Sequence, residues 1–146
     1  MNPARTETRQ RRHHVGAERQ SRQRHVRGFR PGDIPAAIAA LDPRVEWWEA
    51  GNFIRADGNP YVGPQAVLEG VFMRLGGEWE GLQVSPEEIL DAGETVIGLG
   101  YYSGTYKRNG ERVRAQFAHL FTFRGGKVVR FQQYTDTAQF QKAVGR

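Results

Sequence analysis

Two aromatic-rich runs near the end of this 146-residue chain are joined by Arg124-Gly125-Gly126-Lys127. A short glycine-containing connection between such runs is typical of a β-hairpin. Because successive strand residues point to opposite faces, the first arm has one face with Phe117, His119, Phe121 and Phe123. The second arm has one face with Val129, Phe131, Gln133 and Thr135. His119 and Gln133 thus each lie in a mostly apolar row, which is typical of a pocket with a few placed polar groups. Two hydrogen-bonded polar groups in an ordinary core are the alternative interpretation.

The positive charge of the chain is concentrated at its beginning. Residues 1–30 contain nine Arg and two Glu, a net charge of +7, whereas residues 31–146 have 12 basic and 14 acidic side chains, a net charge of −2. We expect residues 1–27 to form a disordered Arg-rich tail, because they bury too little apolar surface to offset their ordering entropy. A basic arm for nucleic acid is the alternative, but no aromatic residue precedes Phe29 to stack on bases. We therefore expect no nucleic-acid partner.

Residues 28–146 have the length of one domain. The chain has no Cys, which excludes disulfides and thiolate sites. It also has no apolar run of membrane-spanning length and no signal peptide, so we expect a cytoplasmic protein without a membrane partner. His119 is the one histidine of this domain and has no metal-ligand spacing around it. We predict no metal site and no cofactor.

Two helices are predicted before the main strands. Asp33 is a suitable N-cap for a short helix that Asp42-Pro43 ends. Pro64 opens a second helix, and Gly76-Gly77 ends it. An apolar stripe of this second helix indicates contact with the core and makes Phe72 a candidate pocket wall; the stripe contains Val67, Leu68, Val71, Phe72 and Leu75.

The strands predict a curved antiparallel sheet. A first strand over residues 44–49 orients Trp47 and Glu49 to one face. Three more strands precede the second hairpin arm and form a four-stranded meander with it, over residues 83–90, 95–107 and 112–124. Glycine inside a strand marks a bend or the close approach of another group. One face of the second of these strands carries Val96, Gly98, Gly100, Tyr102 and Gly104, which indicates curvature with open space on the concave side. The predicted class is α+β, with helices covering one face of the sheet.

Three segments carry a family resemblance, namely RPGDIPAAIAALDPRVEWWEAG, YVGPQAVLEGVF and FAHLFTFRGGKVVRFQQYTDTA. They resemble the SnoaL-like, ketosteroid-isomerase-related branch of the NTF2-like superfamily over about residues 28–144. The resemblance implies the NTF2-like cone, in which a strongly curved antiparallel sheet and N-terminal helices enclose an apolar pocket. It implies no single reaction, because this fold hosts isomerases, polyketide cyclases, dehydratases, epoxide hydrolases and non-catalytic binding modules.

The resemblance also assigns roles to residues. Glu49 matches the general-base Asp of ketosteroid isomerases, without the proline that follows it there. His119, four residues before Phe123, matches their oxyanion-stabilising carboxylic acid. The catalytic Asp of SnoaL-type cyclases would fall near Gln133, and Gln cannot act as a base. The phenolic Tyr of the isomerases falls on His25, inside the tail.

The tail departs from the family pattern. Relatives have an amphipathic helix before the Gly-Asp turn, where this chain has RQRHVRGFRPGD. Because GC-rich coding DNA read out of frame yields Arg-rich peptide, we expect residues 1–27 to reflect a shifted reading frame or a misplaced start. Resequencing of the locus tests this expectation.

Two main functional hypotheses follow. The first is an isomerase-like or polyketide-cyclase-like enzyme without a cofactor, which transfers a proton on a small hydrophobic carbonyl compound with Glu49 as base and His119 as donor to the oxygen. The pocket is predicted to be lined by Trp47, Phe72, Tyr102, Phe117, Phe121, Phe131 and Gln133. The second hypothesis is a non-catalytic ligand-binding or dimerisation module, in which Glu49 and His119 do not converge.

Two further expectations concern the faces of the sheet. The Asp-Arg-Asp set of the family's epoxide hydrolases is disfavoured, because alternation places Asp136 and Arg114 on the face opposite His119. The resemblance implies a homodimer formed through the outer face of the sheet.

Overall fold

The computed structural model describes residues 16–24, 26 and 33–146. Residues 16–24 and 26 are helical and are called helix α1. Here the chain differs from the expected disordered tail. Val26 is 3% exposed within the core, and Arg19 and Arg22 form ion pairs with Asp91 at 3.1 and 3.7 Å. The rest of the 1–27 segment, including His25, lies outside the described residues, and the domain boundary after residue 27 stays a prediction.

The described residues form one six-stranded sheet with helices packed against it. After α1 the elements are α2 (Ile34–Ala39), β1 (Leu41–Trp48), a 3₁₀ turn (Ala56–Gly58), β2 (Tyr61–Val62), α3 (Pro64–Val67), a π-helical segment (Leu68–Phe72), α4 (Met73–Glu78), β3 (Trp79–Ala92), β4 (Thr95–Tyr106), β5 (Arg112–Arg124), β6 (Lys127–Thr135) and α5 (Thr137–Ala143). The strand order is β2-β1-β6-β5-β4-β3. β3 to β6 are the predicted antiparallel meander, and β1 joins β6 in parallel.

The N-terminal elements follow their local sequence signals, but two helix ends are shifted. Asp33 caps α2 as predicted, its Oδ1 accepting a hydrogen bond of 3.3 Å from the Ala36 amide. Asp42-Pro43 does not end this helix but lies inside β1, because α2 already ends at Ala39. The helix predicted from Pro64 is present, and its middle turn is widened into the π-helical segment. Gly76-Gly77 does not end it, because α4 continues through both glycines to Glu78, and β3 begins at Trp79. Such segments are frequent at functional sites.

Glycines and β-bulges produce the predicted curvature of the sheet. A Cβ atom on Gly100 would lie 2.0 Å from the carbonyl oxygen of Ser85 and 2.8 Å from the Cα atom of Pro86. The register of β3 shifts at this point, between Pro86 and Glu88, and bulges bend the strand that contains them. The fold is therefore the predicted α+β arrangement, with a curved and unclosed sheet.

The core is apolar with a few polar exceptions. Among the described residues, the buried polar side chains are Glu49, His119 and Gln133, at 3%, 6% and 2% exposure. A buried polar group needs a hydrogen-bonding partner to offset its lost hydration. These three residues therefore indicate a candidate functional site. No helix in the described part of the chain is long and apolar enough to span a membrane.

Candidate active site

The three buried polar residues line one cavity of about 60 Å³. The cavity walls come from β1, the helical stretch after β2, and strands β3 to β6; the lining residues are Trp47, Glu49, Val71, Phe72, Leu75, Leu82, Val84, Tyr102, His119, Phe131 and Gln133. An apolar cavity of roughly 150 Å³ holds a benzene molecule. The cavity of this protein is smaller, so in this conformation it suits a small molecule.

Seven of the nine predicted site residues line this cavity, and Phe117 and Phe121 do not. Phe117 stacks on the ring of His119 at a centroid distance of 4.0 Å and belongs to the core cluster around Phe140. Phe121 packs edge-on against Phe131 at 5.0 Å, in the other core cluster. Alternation gave their face correctly, but His119 and Phe131 lie next to the cavity and separate these rings from it.

Four lining residues are not in the predicted set, namely Val71, Leu75, Leu82 and Val84. Val71 and Leu75 belong to the apolar stripe of the second helix, which the sequence did not distinguish from ordinary core. Leu82 precedes the predicted start of its strand, and the register of β3 shifts beside it, between Glu80 and Gln83. Such a shift interrupts the alternation on which a prediction relies.

Glu49 follows the end of β1, and its backbone is held by a side chain. The Glu49 amide donates to Oδ1 of Asn59 at 2.8 Å, and the Glu49 carbonyl accepts from Nδ2 of Asn59 at 2.7 Å. The side-chain carboxamide of Asn59 thus pairs with the backbone N–H and C=O groups of Glu49, as the backbone of a neighbouring strand would. Asn59 directly follows the 3₁₀ turn, where no helix or strand periodicity marks it in the sequence.

The Glu49 carboxyl is buried with one oxygen bonded and one unbonded. Oε1 accepts a hydrogen bond of 3.0 Å from the Trp47 indole nitrogen, and Oε2 has no hydrogen-bond partner among the described residues. Burial raises the pKa of Glu49 from 4.5 to about 8, and the bond from Trp47 opposes this shift only in part. At neutral pH Glu49 is therefore mainly in its protonated form.

A second polar group of the cavity is supplied by strands β4, β5 and β6 and is centred on Tyr102. Gln133 Oε1 accepts from the Ala50 amide at 3.1 Å, and its Nε2 donates to the Tyr102 hydroxyl at 2.9 Å. The same hydroxyl lies 2.5 Å from Nε2 of His119. Gln133 is the cross-strand neighbour of His119, but hydrogen bonds join the two side chains through Tyr102.

The two ring groups of this network are uncharged at neutral pH. Burial lowers the pKa of His119 to about 3, so the imidazole is neutral. Burial, and then the nearby charge of Glu49, raise the pKa of Tyr102 well above its usual value, so the phenol keeps its proton. The network can thus donate and accept hydrogen bonds without introducing a charge into the cavity.

Sequence and structure comparisons identify the family. A family model of the SnoaL-like domain matches residues 23–131. The chain belongs to the SnoaL-like family. An NTF2-like protein from Burkholderia thailandensis is 36% identical, with a TM-score of 0.74 over 90% of this chain and 95% of that one. An NTF2-like protein from Burkholderia pseudomallei is 25% identical, with a TM-score of 0.75 over 88% and 98%.

More distant relatives share the fold of this SnoaL-like protein. A protein with a ketosteroid isomerase-like fold from Catenulispora acidiphila is 19% identical, with a TM-score of 0.65 over 82% of this chain and 85% of that one. At this identity the likeness concerns the fold alone. The chain is thus a member of the NTF2-like superfamily, as the sequence resemblance indicated. No curated protein has a matching sequence.

The cavity of this SnoaL-like protein has the parts needed for acid–base chemistry on an uncharged molecule. It contains one carboxyl group and one neutral hydrogen-bonding network between apolar walls, and its lining includes no Lys or Arg. Within the described residues, no group of three or more His, Cys, Asp or Glu side chains comes together as a metal site would require. Arg114 and Asp136 do not line the cavity, and the Arg114 guanidinium lies over the Tyr101 ring at 3.7 Å.

Proposed function

We propose that this SnoaL-like protein is an enzyme without a cofactor that transfers a proton on a small, uncharged, hydrophobic carbonyl compound. The observation that carries the proposal is the convergence of Glu49 and the Tyr102–His119–Gln133 network on one apolar cavity. Removing a proton from carbon next to a carbonyl group requires a base near the carbon and a hydrogen-bond donor near the oxygen. The two polar groups of the cavity correspond to these two requirements.

The proposed step begins with ionised Glu49. Its carboxylate takes the proton from the carbon next to the carbonyl group, and the electron pair of the C–H bond forms the C=C bond of an enolate. The carbonyl oxygen gains the negative charge and accepts a hydrogen bond from the network. When the substrate has a C=C bond between its β- and γ-carbons, the negative charge extends to the γ-carbon, and return of the proton from Glu49 to that carbon gives the conjugated isomer. When the enolate carbon instead attacks a second carbonyl carbon of the same molecule, that C=O bond opens, and its oxygen takes the proton from Glu49 to give a cyclic alcohol.

The environment of Glu49 makes it a strong base once it is ionised. A carboxylate whose pKa is about 8 has a greater proton affinity than an exposed one at 4.5, and general-base efficiency is greatest when the pKa lies near the working pH. The Trp47 indole holds Oε1 at 3.0 Å, while Oε2 has no partner in the described part of the chain and is available to the substrate.

A non-catalytic binding module is the competing function, and the cavity volume of about 60 Å³ is the observation that favours it. Apolar walls alone suffice to bind a small hydrophobic ligand. A buried carboxyl with an unbonded oxygen would then lower stability without contributing to function. Replacement of Glu49 by Gln separates the two functions, because it removes the base and keeps the size of the side chain.

The experiment measures deuterium uptake at the α-carbons of acetone and butanone in D₂O, by NMR at pD 8. We expect the wild-type protein to accelerate the uptake and Glu49→Gln to reduce the acceleration on the order of 100-fold or more. Glu46→Gln is the matched control, because Glu46 is an exposed residue of β1, and it should behave as wild type. Equal rates for wild type and Glu49→Gln, or no acceleration with either ketone, would contradict the enzymatic function.

A further inference from the structure

Tyr102 is placed at the cavity by its neighbours in the sheet. It pairs with Val84 of β3 on one side and with Ala115 of β5 on the other, and the small side chain of Ala115 leaves room for its ring. The ring packs against Phe117 and against the edge of Phe140, at centroid distances of 4.9 and 5.4 Å. Packing on these sides fixes the direction of the hydroxyl, and Tyr102 is only 6% exposed.

The orientation of Gln133 determines one of the bonds to this hydroxyl. Because Oε1 of Gln133 accepts from the Ala50 amide at 3.1 Å, its Nε2 faces Tyr102 at 2.9 Å. An amide nitrogen donates and does not accept. Gln133 therefore occupies an acceptor position of the Tyr102 oxygen, and the proton of Tyr102 must be directed elsewhere.

The His119 ring and the cavity are the two remaining directions for that proton. A neutral imidazole carries one proton, on either Nδ1 or Nε2. When the proton is on Nε2, His119 donates to Tyr102 across the 2.5 Å contact, and the Tyr102 proton is free to point into the cavity. A substrate oxygen favours this arrangement, because it provides an acceptor for that proton.

We propose that the Tyr102 hydroxyl, and not the His119 imidazole, donates the hydrogen bond to the carbonyl oxygen of the substrate. This inference rests on the proposed function and makes Tyr102 a catalytic residue, since it touches the reacting carbonyl group. His119 and Gln133 are positioning residues, because both bind the Tyr102 oxygen and leave its proton to the substrate. The phenol suits this role because its raised pKa keeps it protonated beside Glu49.

The test uses acetone labelled with ¹³C at its carbonyl carbon and measures its C=O stretching frequency by difference infrared spectroscopy. A hydrogen bond to the oxygen lowers this frequency. We expect a lowered frequency with wild type and loss of the shift in Tyr102→Phe, together with a loss of deuterium exchange on the order of 100-fold. Tyr101→Phe is the matched control, because Tyr101 does not line the cavity and its hydroxyl accepts from Gln116. It should keep both the shift and the exchange.

Two variants of His119 test its positioning role. His119→Gln places an amide nitrogen near the former Nε2 and should restore most of the frequency shift, whereas His119→Leu lacks such a group and should weaken the shift. Thermal unfolding of each variant shows whether it is folded under the conditions of the spectra. A merely structural role of His119 predicts that both variants give the wild-type frequency whenever they are folded, and that result would overturn the positioning role.

The outcomes separate this inference from the proposed function. An unchanged shift and exchange rate in Tyr102→Phe would overturn the assignment of Tyr102 and leave the proton-transfer function standing. A shift that depends on Tyr102, in a wild-type protein that exchanges no deuterium, would support the assignment and contradict the proposed reaction. A wild-type spectrum without any shift would overturn the assignment directly.

Discussion

The charge state of Glu49 predicts how the stability of the protein depends on pH. In the folded protein Glu49 keeps its proton up to about pH 8, and its ordinary value is 4.5. Between these two values the folded state binds more protons than the unfolded state, so rising pH destabilises the folded state. The contribution of Glu49 to the free energy of unfolding is fully present below pH 4.5. It decreases between pH 4.5 and about pH 8 and is constant at higher pH.

Glu49→Gln removes this dependence and keeps the side-chain size. A Gln oxygen can still accept the hydrogen bond that Trp47 donates over 3.0 Å. Each pH unit inside the window corresponds to roughly 1.4 kcal/mol. The free energy of unfolding of the variant, relative to wild type, should therefore rise by roughly 2 to 3 kcal/mol between pH 5 and pH 7.

Urea denaturation of both proteins at pH 5, 6, 7 and 8 measures this difference. The change should appear in the midpoint and leave the slope with denaturant unaltered, because the exposed surface is the same. Glu46→Gln is the control; Glu46 is exposed, and its difference from wild type should stay within about 0.5 kcal/mol at each pH. A difference between Glu49→Gln and wild type that is constant from pH 5 to pH 8 would refute the argument from burial.

Two more outcomes follow from the structure. The kcat/KM for ketone exchange should rise tenfold per pH unit and level off above about pH 8, because the base is the ionised form of Glu49; a plateau already at pH 6 would contradict this assignment. Gly100→Ala should destabilise the protein by about 3 kcal/mol or more, measured by urea denaturation, because its Cβ would lie 2.0 Å from a backbone oxygen. Gly98→Ala should be tolerated within about 1 kcal/mol, since the nearest atom is a Val26 methyl carbon at 3.3 Å; similar losses in both variants would argue against the steric explanation.

The sequence predicted those parts of the site that depend on alternation along strands. Trp47 and Glu49 lie two residues apart at the end of β1, and His119 and Gln133 lie on facing arms of a hairpin with a clear turn. A period of two residues determines the face of each side chain. The fold class followed in the same way, because the glycine row of β4 indicates curvature of the sheet.

Other parts of the site depend on distances between side-chain ends, which periodicity does not contain. Tyr102 was expected in the wall, but its bonds to His119 and Gln133 depend on ring directions set by packing. Because the register of β3 shifts beside Leu82, alternation did not predict that Leu82 lines the cavity. The two-residue strand β2 was too short to give a pattern. Val26, one of the few apolar residues before residue 28, is buried although no apolar periodicity surrounds it in the sequence.

The way in which Asn59 holds the backbone of Glu49 has a consequence for how new specificities can arise on this scaffold. The bonds of 2.8 and 2.7 Å join the candidate base to a loop residue that does not line the cavity. Substitutions at Val71, Leu75 and Leu82 therefore change which molecules fit while leaving these two bonds in place. The shape of the cavity and the position of the base can vary separately, so a library confined to these wall positions can change substrate choice step by step without discarding the chemistry.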